Sequence, residues 1–299
     1  MCSSDLFKFE LNCAVQTILT NDPPLKAVHS RSAELGARGQ VGRGYNWNVS
    51  AYRTILANDI LFDLDAISFH THFFNAERTR REGLEIGFGG EFERLQFQSS
   101  FSLTSATYQS EFITGNISNS SSKCSGDNCT FLVRPGDRMP SIPLRGWKLD
   151  ASYQVDARWS MGMNVTGQSG VILRGNENNA HEVSVRTDRG GAGLNTYLDP
   201  GRTAGFAVMN ANVNWTPSRT WTVFAKINNL LDKRYYTAGQ LRSNPFSPTD
   251  TGFVDSNGWN YSRPDWTNVA NLAPGAPRAL WVGVRYALGS QAKQHNDKN

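Results

Sequence analysis

The residues of this chain best suited to chemistry are four cysteines and five histidines, and their spacing decides what they can do. Cys124-Ser-Gly-Asp-Asn-Cys129 lies in a Ser/Asn-rich stretch and reads as a disulfide-closed loop tip, which places the protein in an oxidising compartment. Cys2 and Cys13 form a second candidate disulfide pair. Zinc tolerates the Cys124/Cys129 spacing, but no further Cys or His pair stands at a distance that completes four ligands. Of His29, His70, His72, His181 and His295, only His70-Thr-His72 sets two imidazoles on one face of a strand. That arrangement suits a weak metal grip or, more simply, two polar side chains at a strand end, so neither metal nor cofactor is expected. Ser, His and Asp occur without a nucleophile elbow, and no catalytic residue is expected.

The elements that must position these groups announce themselves by alternation of period two. Trp147, Leu149, Ala151, Tyr153 and Val155 alternate with Lys148, Asp150, Ser152 and Gln154. Past Asp156, the series Ala157, Trp159, Met161, Met163 and Val165 alternates with Arg158, Ser160, Gly162 and Asn164. Ala207 to Trp215 repeats the pattern, and so do Trp221 to Asn228, Leu95 to Leu103, Leu84 to Gly89 and Tyr45 to Ala51. One oily and one wet face per segment is the mark of a strand, and helical spacing fits none of them.

About nine strands are predicted: Arg31 to Val41, Tyr45 to Leu56, Ser68 to Phe92, Leu95 to Tyr108, Ile142 to Val155, Ala157 to Val171, Gly205 to Trp215, Thr220 to Leu231 and Pro277 to Leu288. The connections come in two sizes. Gly42 to Gly44, Glu93, Asp156 and Pro217 to Arg219 are brief, whereas 111–141, 173–204 and 232–276 are long and polar. Tryptophans 47, 147, 159, 215 and 221 recur near strand ends. Short turns on one side, long loops on the other and aromatics at the margins describe a transmembrane β-barrel better than a soluble sandwich.

Composition agrees. Only 39% of residues are hydrophobic, and no stretch approaches the ~18 consecutive apolar residues of a spanning helix. Barrel strands escape that test because half their side chains face the lumen. The net charge of +4 is spread along the chain, unlike the clustered basic stripe of a nucleic-acid binder.

With the strands placed, a family resemblance becomes visible. Phe74-Asn75-Ala76-Glu77-Arg78-Thr79-Arg80-Arg81-Glu82-Gly83-Leu84-Glu85 resembles the strand motif of TonB-dependent receptors in which Asn precedes a basic stretch and Gly-x-Glu. Phe224 to Tyr236, with Asn229-Leu230-Leu231-Asp232 at its centre, is similar to their penultimate-strand signature. Pro274-Gly275-Ala276-Pro277-Arg278, followed by alternating Leu280, Val282, Val284 and Tyr286, resembles the approach to their last strand. Asp22-Pro23-Pro24-Leu25 with Arg31 to Gly39 is similar to a segment of ferric-chelate members.

The resemblance implies an all-β fold: the C-terminal portion (1–288) of an antiparallel, plugged barrel of about 22 strands, with the plug and N-terminal strands lying outside this sequence. Residues 1–30 then belong to an extracellular loop, and 289–299 form a polar tail where relatives close on an aromatic residue. The Asn116 and Asn119 glycosylation triplets have no role in such a bacterial protein. The implied location is the outer membrane. The implied partners are its lipid, the plug and N-terminal strands, the TonB energy-transducing complex and a ferric chelate, with no nucleic acid. Anionic chelates call for arginine and aromatic side chains, so Arg134, Arg138, Arg174, Arg242, Trp259 and Tyr261 in the long loops are the expected contacts. Lumen residues such as Glu34, Arg38, Glu85, Lys148, Asp150, Arg158 and Lys226 are expected to meet plug or water instead. A passive porin and a soluble carbohydrate-binding β-protein are the alternatives: a plug with a transducer-gripping segment would separate receptor from porin, and detergent dependence would separate both from the soluble protein.

Overall fold

In a computed structural model, residues 24–42, 44–64, 71–125, 128–186, 195–244 and 267–288 are described. The pair Cys2/Cys13, His70, His295, Trp259, Tyr261, the 289–299 tail and most of the 1–30 loop lie outside them, as does the side chain of His72.

Alternation becomes sheet as follows. The strands in chain order are β1 (His29–Val41), β2 (Tyr45–Leu64), β3 (Thr71–Phe92), β4 (Leu95–Tyr108), β5 (Phe112–Gly115), β6 (Lys123–Ser125), β7 (Asn128–Val133) and β8 (Arg145–Gln154). They continue with β9 (Trp159–Gln168), β10 (Ser184–Arg186), β11 (Asn195–Tyr197), β12 (Phe206–Trp215), β13 (Trp221–Asn228), β14 (Tyr236–Ser243), β15 (Thr267–Pro274) and β16 (Ala279–Tyr286). Nine of them form one sheet in the order β1-β2-β3-β4-β8-β9-β12-β13-β16, and every adjacent pair is antiparallel. This sheet is the wall of the molecule.

The nine wall strands are those expected from period two, with differences at their ends. The β2–β3 hairpin is longer than the pattern suggests, because β2 runs on to Leu64. Alternation fails there at Asn58, whose φ is +57°, and at the buried Asp59, so the sequence gives no period to follow. The long connections are not irregular either. They contain β5, β6 and β7 as one small sheet and β10, β11, β15 and β14 as another. These two sheets form a cap at the long-loop end.

Register carries the apolar face across the whole wall. One rung runs Val41, Tyr45, Gly90, Phe97, Ala151, Met163, Ala211, Ile227 and Leu280, each the direct partner of the next. The short-turn end descends relative to this rung. The Phe92–Leu95 pair closes β3 and β4 one rung below, Trp159–Trp215 lies two below, and Trp221–Tyr286 three below. Three rungs are about 20 Å along a strand, against about 38 Å for eight interstrand spacings. The stagger corresponds to a tilt of about 30°, approaching the 35–45° typical of membrane barrels.

Backbone chemistry fixes the short turns. Gly42 and Gly44 supply the positive φ values that reverse β1 into β2. Asp156 turns β8 into β9 by accepting the amide N–H groups of Arg158 and Trp159 on Oδ1 at 2.7 and 2.9 Å.

Candidate functional site

The wet face of the wall is a ladder of short amides and hydroxyls. Asn164 donates to Asp150 Oδ1 at 2.7 Å, Asn210 donates to Asn164 Oδ1 at 3.2 Å, and Asn210 Oδ1 accepts the backbone N–H of Asn229 at 2.9 Å. This chain of bonds crosses β8, β9 and β12 and ends in the turn after β13. Asn229 is 2% exposed and has a φ of +50°. Its Nδ2 donates to the carbonyls of Lys233 (2.9 Å) and Ala276 (3.1 Å), while Oδ1 accepts the Lys233 N–H (2.8 Å). One side chain thus clamps both ends of the long β13–β16 connection to the wall.

Above the wall, three loops interlock through buried polar side chains. Asn176, 3% exposed, donates to the Gly201 carbonyl (3.0 Å) and accepts the His181 N–H (2.9 Å). Asn119, fully buried, donates to the Gly175 carbonyl (2.8 Å) and to Asn178 Oδ1 (3.2 Å). Asn116 reaches the Leu241 carbonyl (3.3 Å), and Asp199 Oδ2 accepts the Ala270 N–H (2.9 Å). Segments more than a hundred residues apart are therefore tied by side chain to backbone bonds. Buried amides need such partners, since each orphaned one costs about 1–3 kcal/mol.

His181 is the centre of this cap. It is 8% exposed, its Nδ1 accepts the Ser120 N–H at 3.0 Å, and its Nε2 lies 3.0 Å from the Asp199 carbonyl. A ring nitrogen that accepts an amide proton carries none of its own, so Nε2–H donates and the imidazole is neutral. Burial holds its pKa below the usual histidine value, with partial compensation from the Asp199 carbonyl and carboxylate. Tyr197 meets the ring edge-on at 5.7 Å between centroids.

The disulfide between Cys124 and Cys129 joins directly opposed positions of the β6–β7 hairpin. The loop arginines are distributed over three connections. Arg134 is exposed at a turn where its backbone N–H donates to Asp137 Oδ2 at 2.8 Å. The Asp137 carboxyl is raised above the ordinary value, by burial first, against the lowering effect of Arg134. Arg138 is partly buried and donates to the Ile142 carbonyl at 3.4 Å. Arg174 is exposed, with its guanidinium over the Phe62 ring at 5.7 Å from the centroid.

Arg174 pairs in parallel register with Gln240 on β14, which brings Arg242 two positions farther along the same strand. The structure thus gathers Arg174 and Arg242 on one part of the cap and sets Arg134 on another. Sequence reasoning passed over Asn176 and Asp199, named His181 only as one histidine among five, and met Asn229 only as part of a family motif. The Asn-rich runs at 116–119 and just before His181, at 176–179, were the available signal, and only folding pairs them. Among the described residues no cluster of His, Cys, Asp and Glu forms a metal site.

Comparison with known proteins places this geometry. The family model described as TonB dependent receptor-like, beta-barrel, matches residues 3–230. Among curated proteins none matches the sequence. The structure of the siderophore receptor PiuA from Acinetobacter baumannii is similar over 86% of this chain at 14% identity, with a TM-score of 0.54. The closed form of the ferric-catecholate import receptor Fiu from E. coli K12 is similar over 88% at 16% identity and a TM-score of 0.53. The ferric yersiniabactin uptake receptor FyuA from Yersinia pestis is similar over 87% at 13% identity and a TM-score of 0.53. At these identities the likeness is one of fold. The chain spans 28%, 28% and 30% of those three structures.

Proposed function

Because the chain belongs to the TonB-dependent receptor-like β-barrel family, we propose that it supplies part of the wall and extracellular cap of an outer-membrane receptor for energy-coupled uptake of a ferric chelate. The observation that carries this reading is the uncovered oily face of the wall. Leu35, Leu280, Val282 and Val284 are 82%, 68%, 69% and 58% exposed, and they lie on the face that a soluble sandwich would bury. A continuous apolar face of this kind calls for hydrocarbon, and the wet Asn/Ser face for a lumen.

Among the described residues β1 and β16 each pair on one side only. A bilayer tolerates no lipid-exposed sheet edge, so in this reading further strands of a whole receptor close the wall around a plug, and the TonB complex acts on that plug. The ferric-chelate substrate class is supported by the names of the similar structures, a siderophore receptor and two ferric-chelate importers. It is also supported by the cationic cap loops, where Arg174 and Arg242 share a surface. Cys124 and Cys129 suit an extracellular cap.

The test is saturable binding of ferric catecholate and ferric citrate to the receptor in detergent, with and without the double substitution Arg174→Gln and Arg242→Gln. The expected result is binding to at least one chelate, weakened on the order of tenfold by the pair. Non-saturable permeation of small solutes without any chelate binding would favour a passive pore.

A further inference from the structure

The outward face does not stay apolar along its whole length. On β3, the outward positions Phe92, Gly90, Phe88, Ile86 and Leu84 carry no charge, and the next ones are Glu82, Arg80 and Arg78. Four steps of two residues cover about 27 Å along the strand and about 20 Å of height at the tilt of a membrane barrel. With side chains at either end, that matches the ~25 Å apolar band of such proteins.

The upper margin of the band is a line that crosses strands. On β1, β2, β3 and β8 the last apolar outward residue below the first charged one is Ala33, Ala51, Leu84 and Trp147, and Leu103 on β4 shares the rung of Ala51 and Leu84. Ala33 stands one rung above the Ala51-Leu84-Leu103 rung, and Trp147 one rung below it. Tilted strands cut by a level boundary produce this descent, the same stagger seen at the short turns.

Beyond that line the outward face carries Arg31, Arg53, Arg80, Arg78 and Arg145, with Glu82 as the acid among them and Ile55, Ser105 and Thr107 as uncharged neighbours. Glu82 bridges two of them, to Arg53 Nε at 2.8 Å and to an Arg80 terminal nitrogen at 3.4 Å. Arg53 remains 62% exposed at the side chain, and the buried Nε of Arg80 has no hydrogen-bond partner among the described residues. Five arginines against one glutamate leave an excess of cationic forks aimed sideways, at the height where a bilayer presents headgroups. Guanidinium binds phosphate oxygens bidentately.

From this juxtaposition we propose that the outward belt of Arg31, Arg53, Arg78, Arg80 and Arg145 binds the phosphate groups of anionic lipid headgroups in the extracellular leaflet, with Glu82 competing with phosphate for Arg53 and Arg80. The inference rests on the membrane-barrel reading. A lipid anchored on these arginines would fix the height of the wall and cover the outward side of β1 to β3 below the cap.

The experiment uses the receptor reconstituted in phosphatidylcholine vesicles. Quenching of its tryptophans by brominated phosphatidylcholine reports insertion. Substituting a small fraction of brominated phosphatidic acid, or of brominated diacylglycerol that lacks the phosphate, then reports which lipid gathers at the wall. Enrichment of phosphatidic acid over diacylglycerol is expected, falling by about 25-fold when Arg53→Gln and Arg80→Gln are combined, from about fivefold per arginine. Glu82→Gln, which removes the acid and leaves every arginine, is expected to raise enrichment and serves if the double variant does not fold. Equal enrichment of the two lipids, or indifference to both substitutions, overturns the proposal. So does full competition by inorganic phosphate, which would make the belt a site for the free ion. Absence of quenching by brominated phosphatidylcholine would sink the barrel reading itself, and the belt with it.

Discussion

The wall and the cap are held together by opposite means. In the wall, backbone bonds between antiparallel neighbours do the joining, and side chains sort themselves into an oily and a wet face. In the cap, side chains join backbone to backbone across loops, through Asn116, Asn119, Asn176, His181 and Asn229. A wall of this kind tolerates many side chains provided their parity is right. A cap of this kind depends on particular atoms and tolerates few.

The largest effect that tests this contrast comes from the wall. Ile86 lies mid-band on the outward face, and Ile86→Arg should destabilise the inserted protein by about 2–4 kcal/mol. Its neighbour Glu85 faces the lumen, and Glu85→Gln should shift stability by less than about 0.5 kcal/mol. Urea titration in vesicles, followed by tryptophan fluorescence, measures both. Similar costs at the two positions would mean that the faces are not differently solvated.

Next comes the clamp between the two regions. Asn229→Ala removes three hydrogen bonds from a buried site whose φ is +50°, and a loss of about 2 kcal/mol is expected. Its signature is local: the connection beyond β13 should become protease-sensitive while the wall keeps its strand content by circular dichroism. Loss of the whole sheet would show that wall and cap fold as one cooperative unit. Smaller again is the disulfide, which closes a short loop within the β6–β7 hairpin. Replacing both cysteines by serine should cost at most about 2 kcal/mol on chain-entropy grounds and leave the other cap sheet unaffected in hydrogen exchange.

The same contrast explains what could be read without a structure. Strands such as β8, β9, β12 and β13 were legible because one residue in two reports the face, and the report repeats along the strand. Even the lengths of the connections pointed to one end for the cap. The cap itself was not legible. Thr196 on β11 pairs in parallel with Thr267 on β15, a match between distant residues with no local period. Asn119 and Asn176 look like ordinary loop residues in sequence, and burial alone makes them structural. Arg174 and Arg242 were chosen for charge, and their proximity follows from a β-bridge at Arg174 that no spacing rule anticipates.

The smallest effect is conditional on pH and falls on the cap alone. His181 is buried, neutral, and accepts an N–H from Ser120 on Nδ1. Protonation would place two N–H donors face to face, so it requires the Ser120 contact to open. Since burial lowers the pKa of His181 in the folded cap, the opened state binds more protons between that lowered value and the ordinary value near 6.5. Stability therefore rises with pH through this window, is fully present above it, and is lost as the pH falls. The carboxylate that acts on the ring belongs to Asp199, whose Oδ2 is held by the Ala270 N–H, and the adjoining acid is Glu182, whose N–H donates to Ser120 Oγ. Acidification from neutral should lower the amide protection factors, exchange rates taken relative to the intrinsic rate at each pH, at 119–122 and 199–203 and leave those of β8, β9 and β12 unchanged. In His181→Gln, a side-chain carbonyl can take the Ser120 N–H and the amide can donate toward Asp199 without titrating, so the protection factors there should become indifferent to pH. If instead the variant keeps the wild-type pH response, the sensitivity lies with the carboxylates, and the histidine serves the cap as packing only.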